Sequence, residues 1–358
     1  MKFFVLYAIV ASAFSSGIAN AAEIYNKDGN KLNLYGRVQV LHYFSDDSTS
    51  DGDKTYIRFG FNGQTQINEF LTGYGQWEYH LQGNNSEGSD SNNNTKTRLG
   101  FAGLKFGNIG TFDYGRNYGV IYDVLSTTDT MPEFSGPNAN ADTFLRQRST
   151  GVATFRTNDT FGIYDKLKLA FQFQGKNDRP AISRANGDGW GASIRYDLGY
   201  DVTLAAAYSN SDRTDAQNAS GVYGKGRKAE NWATGLKFDN GKWYFAALYG
   251  YTLNSYYFTN MNTNTSGFAN KADYFDVTLQ YQFINGLRPA LLYVQTKGND
   301  IEGIGKADLL KFIEPALSYY FNKNMRAYVA YKINLMPKNN NLSTSAEDVL
   351  ATGLVYQF

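Results

Sequence analysis

The sequence predicts an all-β protein, a transmembrane antiparallel β-barrel of about sixteen strands with one long loop folded into its lumen. Three observations carry this. Short segments alternate apolar and polar residues with period two through most of the chain. The connections between them alternate between short turns and long polar loops. One connection, between Tyr114 and Arg148, is far longer than a hairpin loop and holds Asp129 and Glu133 about a stiff Met131-Pro132-Glu133-Phe134 turn.

The chain opens on a targeting segment. Lys2 is a positive start, residues 3–14 are apolar, and Ala19-Asn20-Ala21 is a small-x-small cleavage signal. Residues 1–21 are therefore expected to be removed, leaving 22–358 as the barrel. The apolar run is too short to anchor a helix in a bilayer. Its loss removes Lys2 alone and leaves 33 basic and 33 acidic side chains, which argues against a nucleic-acid partner. The chain has no cysteine, which excludes a disulfide framework and a thiolate metal site.

Aromatic residues make up 16% of the chain, with 28 Tyr and 25 Phe, and they gather near segment ends. Interfacial girdles of a membrane barrel need that placement. Beyond the leader no apolar run reaches the ~18 residues that a membrane helix requires.

The first strand, 31–43, sets Leu32, Leu34, Gly36, Val38 and Val40 on one face against Asn33, Tyr35, Arg37 and Gln39 on the other. The second, 55–67, sets Ile57, Phe59 and Phe61 against Arg58, Asn62, Gln64 and Gln66. The third, 71–81, sets Trp77, Tyr79 and Leu81 against Gln76, Glu78 and His80. Similar segments follow at 95–106, 110–118, 147–156, 167–174, 189–198, 202–209, 228–238 and 242–253. The series closes with 272–283, 287–295, 309–321, 325–333 and 349–358. In a soluble sandwich the apolar face would point inward. In a barrel in lipid it points out, and at about sixteen strands the interior is too wide for side chains to fill.

Short turns at 68–69, 107–109, 199–201, 239–241 and 285–286 fit the periplasmic rim. Longer polar loops at 45–54, 82–94, 175–188, 210–227, 254–271, 297–307 and 334–348 fit the outside. A soluble sandwich has no reason to sort its loops this way. The segment ending at Arg148 is expected to enter the lumen and narrow it; the alternative is a mobile external loop.

Enzyme signatures are poor. His42 and His80 leave little room for a His-based triad or metal cage, and each reads as a polar pore-face or interfacial residue. Asp47-x-Thr49-x-Asp51-Gly52 resembles the start of a calcium loop, but position twelve is Arg58 where a bidentate Glu is required. No catalysis, cofactor or metal is expected. A basic ladder stands out instead: Arg37, Arg58, Arg98 and Arg148 fall on different strands, the first three on the polar face. Scattered lumen charge is the alternative reading of it.

At these residues the chain resembles the general trimeric outer-membrane porins of enteric bacteria, the osmoporin and matrix-porin group. The likeness covers essentially the full length. It rests on Ala22-Glu-Ile-Tyr-Asn-Lys-Asp-Gly-Asn30, Leu34-Tyr-Gly36, Leu71-Thr-Gly-Tyr-Gly-Gln-Trp-Glu78, Phe112-Asp-Tyr-Gly-Arg-Asn-Tyr-Gly119, Met131-Pro-Glu-Phe134 and Val355-Tyr-Gln-Phe358. Gly226 to Leu236, Gly267 to Lys271 and Tyr319 to Met325 extend it.

The resemblance implies a sixteen-stranded barrel, a homotrimer in the outer membrane of a Gram-negative bacterium, and passive diffusion of ions and small hydrophilic solutes. Outer-membrane lipid and lipopolysaccharide, and the barrel insertion machinery, are the implied surroundings. Carried over by position, the constriction would set Asp129 and Glu133, with Tyr122 close by, against Arg58, Arg98 and Arg148, with Arg37 where the family often has Lys. Glu87 would latch onto a neighbouring subunit with Arg116 as a basic partner, and Phe358 would serve as an assembly signal. Two departures stand at the loop tip, where Ser135 and Pro137 replace a glycine and an acid of the family pattern. Arg146 adds a cation that period two would put on the face of Arg148. A substrate-selective channel and a barrel enzyme are the rival readings.

Overall fold

A computed structural model of the chain describes residues 22–134, 140–158, 160 and 164–358. The leader at 1–21, and Ser135 and Pro137 at the loop tip, lie outside the described residues. The first half comprises β1 (Ala22–Lys27), β2 (Asn30–Phe44), β3 (Gly52–Asp53), β4 (Tyr56–Gln66), β5 (Leu71–Gln82), β6 (Lys96–Phe106), β7 (Gly110–Tyr118), β8 (Arg148–Thr157) and β9 (Leu167–Gln174). The second comprises β10 (Gly189–Gly199), β11 (Val202–Asp212), β12 (Lys228–Asp239), β13 (Trp243–Asn260), β14 (Thr265–Tyr281), β15 (Leu287–Ile301), β16 (Gly305–Tyr320), β17 (Met325–Asn334) and β18 (Val349–Gln357).

Strand β2 pairs antiparallel with β4, each strand from β4 onward pairs with the next, and β18 returns to β2 from Leu350↔Phe44 to Gln357↔Arg37. Sixteen strands thus close into a barrel, and closure leaves no edge of unpaired amides facing lipid. The two further strands are accessory. β3 is a two-residue pairing in the first long loop. β1 pairs with the start of β2, from Ala22↔Leu34 to Lys27↔Asn30, and so continues the line of β18. Between them Phe358 and Gly36 exchange both backbone hydrogen bonds, at 2.9 and 3.0 Å.

The polarity is inside out. On β9, Phe171 and Phe173 are each 53% exposed, while the intervening Gln172 and Gln174 are 4% and 1% exposed. Val38 and Val40 on β2, Trp190 on β10 and Trp232 on β12 belong to the same outward set. Such a surface is stable only against lipid.

Two of the expected long loops prove to be strand. The predicted loop at 254–271 is mostly hairpin: β13 and β14 shift register between Leu253 and Tyr256, then pair again from Tyr256↔Ala269 to Asn260↔Thr265. The predicted loop at 297–307 likewise shrinks as β15 and β16 pair on to Ile301↔Gly305. Their Asn, Thr and Ser content imitates a loop, but ladder hydrogen bonds hold a strand without an apolar face once it rises beyond the bilayer. Tyr256, Phe258 and Ala269 pack with Ile301 and Leu342 and cement this extension. In the first loop the acids of the calcium-like run cap turns: Asp47 accepts from the Thr49 N–H at 3.0 Å, and Asp51 from the Ser45 N–H at 3.1 Å.

Candidate functional site in the lumen

The long connection enters the barrel. Its limbs leave β7 and return to β8 side by side, with the Gly119 N–H donating to the Gln147 carbonyl at 2.9 Å and the Ile121 N–H to the Leu145 carbonyl at 3.3 Å. A Cβ at Gly119 would run into the Leu145 backbone, so only glycine permits this approach. The chain then forms α1 (Tyr122–Leu125), which lays Val124 and Leu125, with the preceding Ile121, against Ala205, Ala207, Ala233, Leu248 and Tyr274 of the inner wall. A single helical turn has no stability of its own. Burying each aliphatic side chain against the wall contributes roughly 1.5–3 kcal/mol. The alanines of β11 and β12 make the room.

From α1 the chain is passed along the wall by hydrogen bonds. The Tyr244 hydroxyl donates to the Thr127 carbonyl at 2.6 Å, the Thr128 hydroxyl to Asp276 at 3.2 Å, and the Gln280 amide to the Thr130 hydroxyl at 2.7 Å. Met131 packs on Leu292, Val294 and Phe312. At the tip the Glu133 carboxylate accepts from the hydroxyls of Tyr43 and Tyr328 and from the Gln39 amide, the last at 2.9 Å. The loop is therefore tied to β2 and β17, and the mobile external loop is excluded. Its root is tied by Arg156, whose guanidinium lies 2.7 Å from Asp123.

Burial pushes the Glu133 carboxyl above the ordinary carboxylate range, and the donated hydroxyls of Tyr328 and Tyr43 oppose that shift. At Asp123 burial acts in the same direction, but the Arg156 guanidinium, with Arg195 and the Ser193 hydroxyl, outweighs it and holds the carboxyl below its ordinary value.

Arg37, Arg58, Arg98 and Arg148 line the same lumen cavity as Tyr122, Asp129 and Glu133, a space of about 560 Å³. Arg37 and Arg58 are cross-strand partners. Their guanidiniums lie 5.5 and 5.2 Å from the Tyr56 ring centre. Arg148 lies 5.8 Å from the ring of Tyr118, which stacks on Tyr122 at 4.3 Å. The Tyr122 hydroxyl in turn donates to Asp129 at 2.7 Å. A chain of contacts so joins the basic wall to the acidic loop.

A lumen of opposed charge inside a closed sixteen-stranded barrel is the arrangement of a diffusion channel, and the comparison with known families agrees. The family described as Gram-negative porin matches residues 27–358. The chain belongs to that family. It is 52% identical to outer membrane porin F of Escherichia coli (strain K12) and 51% identical to outer membrane porin PhoE of Enterobacter cloacae, over the whole of each chain. Among solved structures it is similar to the Salmonella typhi OmpF complex with daunomycin, with a TM-score of 0.87 and 45% identity, covering 94% of this chain and 100% of that one. The anion-selective porin of Comamonas acidovorans shares the fold at 14% identity and a TM-score of 0.67, over 92% and 100% of the two chains. The protein is an outer-membrane porin, a passive channel for small hydrophilic solutes and not an enzyme.

Several placements in this porin differ from the sequence reading. Arg146 does not join Arg148 on the lumen face. It is 1% exposed, with its guanidinium 5.0 and 5.2 Å from the rings of Tyr256 and Tyr274. The reason is backbone geometry: β8 begins only at Arg148, and Phe144 and Leu145 have φ of 43° and 63°, so period two does not yet apply. The alternation makes Glu78 one polar-face residue among others, yet it sits within the basic row. Arg98 donates to its carboxylate and Arg58 Nε lies 3.9 Å away. Arg288 and Arg326 also line the lumen, and only their place on the inward face of predicted strands could have signalled them. His80 stacks on Tyr56 at 4.8 Å, and the His42 ring lies tilted against Phe44 at 4.6 Å.

The two latch residues are apart within one chain. Glu87 is exposed in the loop after β5, whereas Arg116 lies 2.7 Å from Asp142 and donates to the Thr150 hydroxyl at 2.7 Å. Phe358 ends the β18 line, its ring 6.0 Å from that of Tyr356.

Proposed function

We propose that the wall row Arg37, Arg58, Arg98 and Arg148 and the loop residues Tyr122, Asp129 and Glu133 form the porin's constriction. Size is limited by the inserted loop. The opposed charges set a transverse field that orders water and favours small dipolar solutes over bulky apolar ones. The observation that supports this reading is the shared cavity: acids on the loop and arginines on the wall line one space. Glu78 weakens the basic row at its middle, so Arg37 and Arg148 at the ends carry most of its uncompensated charge. The test is the zero-current potential across a bilayer under a salt gradient. Neutralising loop acids should move it toward anions and neutralising Arg37 or Arg148 toward cations. Movement in one common direction, or none, would refute the assignment.

The assembly is proposed to be a homotrimer held in outer-membrane lipid and lipopolysaccharide, delivered by the barrel insertion machinery with Phe358 as its signal. Gly73, Gly75, Gly100 and Ala102 are clustered in register on the outward face of β5 and β6, with Gly75 opposite Ala102, and offer a flat patch for a neighbouring subunit. Glu87, in the long loop that joins the same two strands, would reach the neighbour's Arg116, sharing it with Asp142. Native gels of the detergent-extracted protein test this directly, and a monomer alone would defeat it.

A further inference from the structure

On the short-turn side of the loop tip the lumen carries a second basic cluster. Arg288 on β15 and Arg326 on β17 flank Tyr320, the last residue of β16. Arg288 Nη1 donates to the Tyr320 hydroxyl at 2.9 Å, and Arg326 Nη1 donates to the same oxygen at 3.3 Å. Arg288 Nε is anchored on Gln282 Oε1 at 2.7 Å, and its guanidinium lies 4.6 Å from the Tyr320 ring centre. Among the described residues neither guanidinium has a carboxylate within ion-pair distance. All three side chains line the solute path.

We propose that Arg288, Arg326 and Tyr320 form an oxyanion-binding station beyond the constriction, suited to the phosphate group of a phosphorylated solute. The chemistry follows from the donors. A phenolic oxygen has two lone pairs, and here both receive guanidinium N–H groups, so its own hydrogen is directed away from the arginines. The guanidinium edges that Gln282 and Tyr320 leave free then line one cavity with the O–H, and no carboxylate among the described residues neutralises them. Only a group rich in acceptors satisfies such a set, and a tetrahedral oxyanion does so with charge-assisted bonds. A carboxylate solute offers fewer oxygens and less charge.

The position gives the station a direction. Arg326 lies two residues before Tyr328 on the same face of β17, and Tyr328 holds the loop tip through Glu133. Two residues of strand span about 7 Å, so an anion is caught just past the narrowest part, toward the short-turn rim. The station rests on the reading that solutes cross this lumen.

Single channels of the full chain in planar bilayers, carrying KCl current, test the proposal with inorganic pyrophosphate as the probe. Pyrophosphate should reduce the current at lower concentration from the short-turn side than from the long-loop side. Arg288→Gln with Arg326→Gln should raise the half-blocking concentration from that side by about tenfold or more, one lost charge-assisted contact being worth about that factor. Tyr320→Phe, which keeps the ring and both guanidiniums, should give a smaller rise and serves if the double variant assembles poorly. Equal block from both sides, or equal block of the double variant and the parent, would overturn the station. A channel that conducts KCl and ignores pyrophosphate would also overturn it while leaving the porin intact. Absence of KCl current would overturn both.

Discussion

Glu133→Gln and Asp129→Asn remove the same charge from the loop but should behave differently. A unit charge ~10 Å from a permeating ion is worth about 1.7 kcal/mol at an effective dielectric near 20. With a screening length of about 10 Å in ~0.1 M salt, about 0.6 kcal/mol remains, or about threefold in the permeability of each ion, in opposite senses for cations and anions. In ~1 M salt the screening length falls to about 3 Å and the effect to below about 0.1 kcal/mol. Both variants should therefore shift the zero-current potential toward anions at low salt and converge with the parent at high salt. Their mechanics differ. Asp129 receives one hydroxyl, from Tyr122. Glu133 receives the hydroxyls of Tyr43 and Tyr328 and the Gln39 amide, and these bonds hold the tip. Glutamine makes them neutral and places an amide donor against one of them. At about 1 kcal/mol each, the released-tip population should rise by about a hundredfold. Glu133→Gln should then add low-frequency noise and sublevels to single-channel records, and Asp129→Asn should not. Equal noise in the two variants would refute the tip anchor. An unmoved potential in both would refute the acidic side of the constriction.

Three further outcomes are expected. Arg148→Ser should move the potential toward cations and raise unit conductance, because it removes both a charge and the bulk beside Tyr118; unchanged conductance would count against a narrowing role. Glu87→Gln should lower the temperature at which trimers dissociate on heated gels without abolishing them, since an exposed ion pair contributes about 0–1 kcal/mol. Deleting Phe358 should reduce the amount of barrel in the outer membrane while surviving channels keep nearly the same conductance, because the residue closes the Gly36 pairing and does not itself line the lumen cavity. Normal membrane levels in that deletion would remove its role as a signal.

The strands, the sorting of loops and the inside-out polarity were legible in the sequence because each depends on neighbours along the chain. The contrast of Phe171 and Phe173 with Gln172 and Gln174 is period two, and lipid outside with water inside converts it directly into a barrel. The resemblance carried the candidate charges to their positions, and they line one cavity for the same local reason: each arginine has a defined face on its strand. The two shortened loops were missed because polar composition marks a strand above the bilayer as readily as it marks a loop.

What only the tertiary structure decided are the contacts across the lumen. No local pattern tells that Ala205, Ala207 and Ala233 clear a seat for Val124 and Leu125, or that Glu133 ends against Tyr43 and Tyr328, because these residues meet only when the ring closes. Arg146 shows the same limit. Its burial between Tyr256 and Tyr274 depends on two left-handed residues before it and on a wall more than a hundred residues later. Glu78 among the arginines and the meeting of Arg288 and Arg326 on Tyr320 depend on register between strands. Period two specifies a face, but which side chains touch across it is set by the pairing of every strand around a closed barrel.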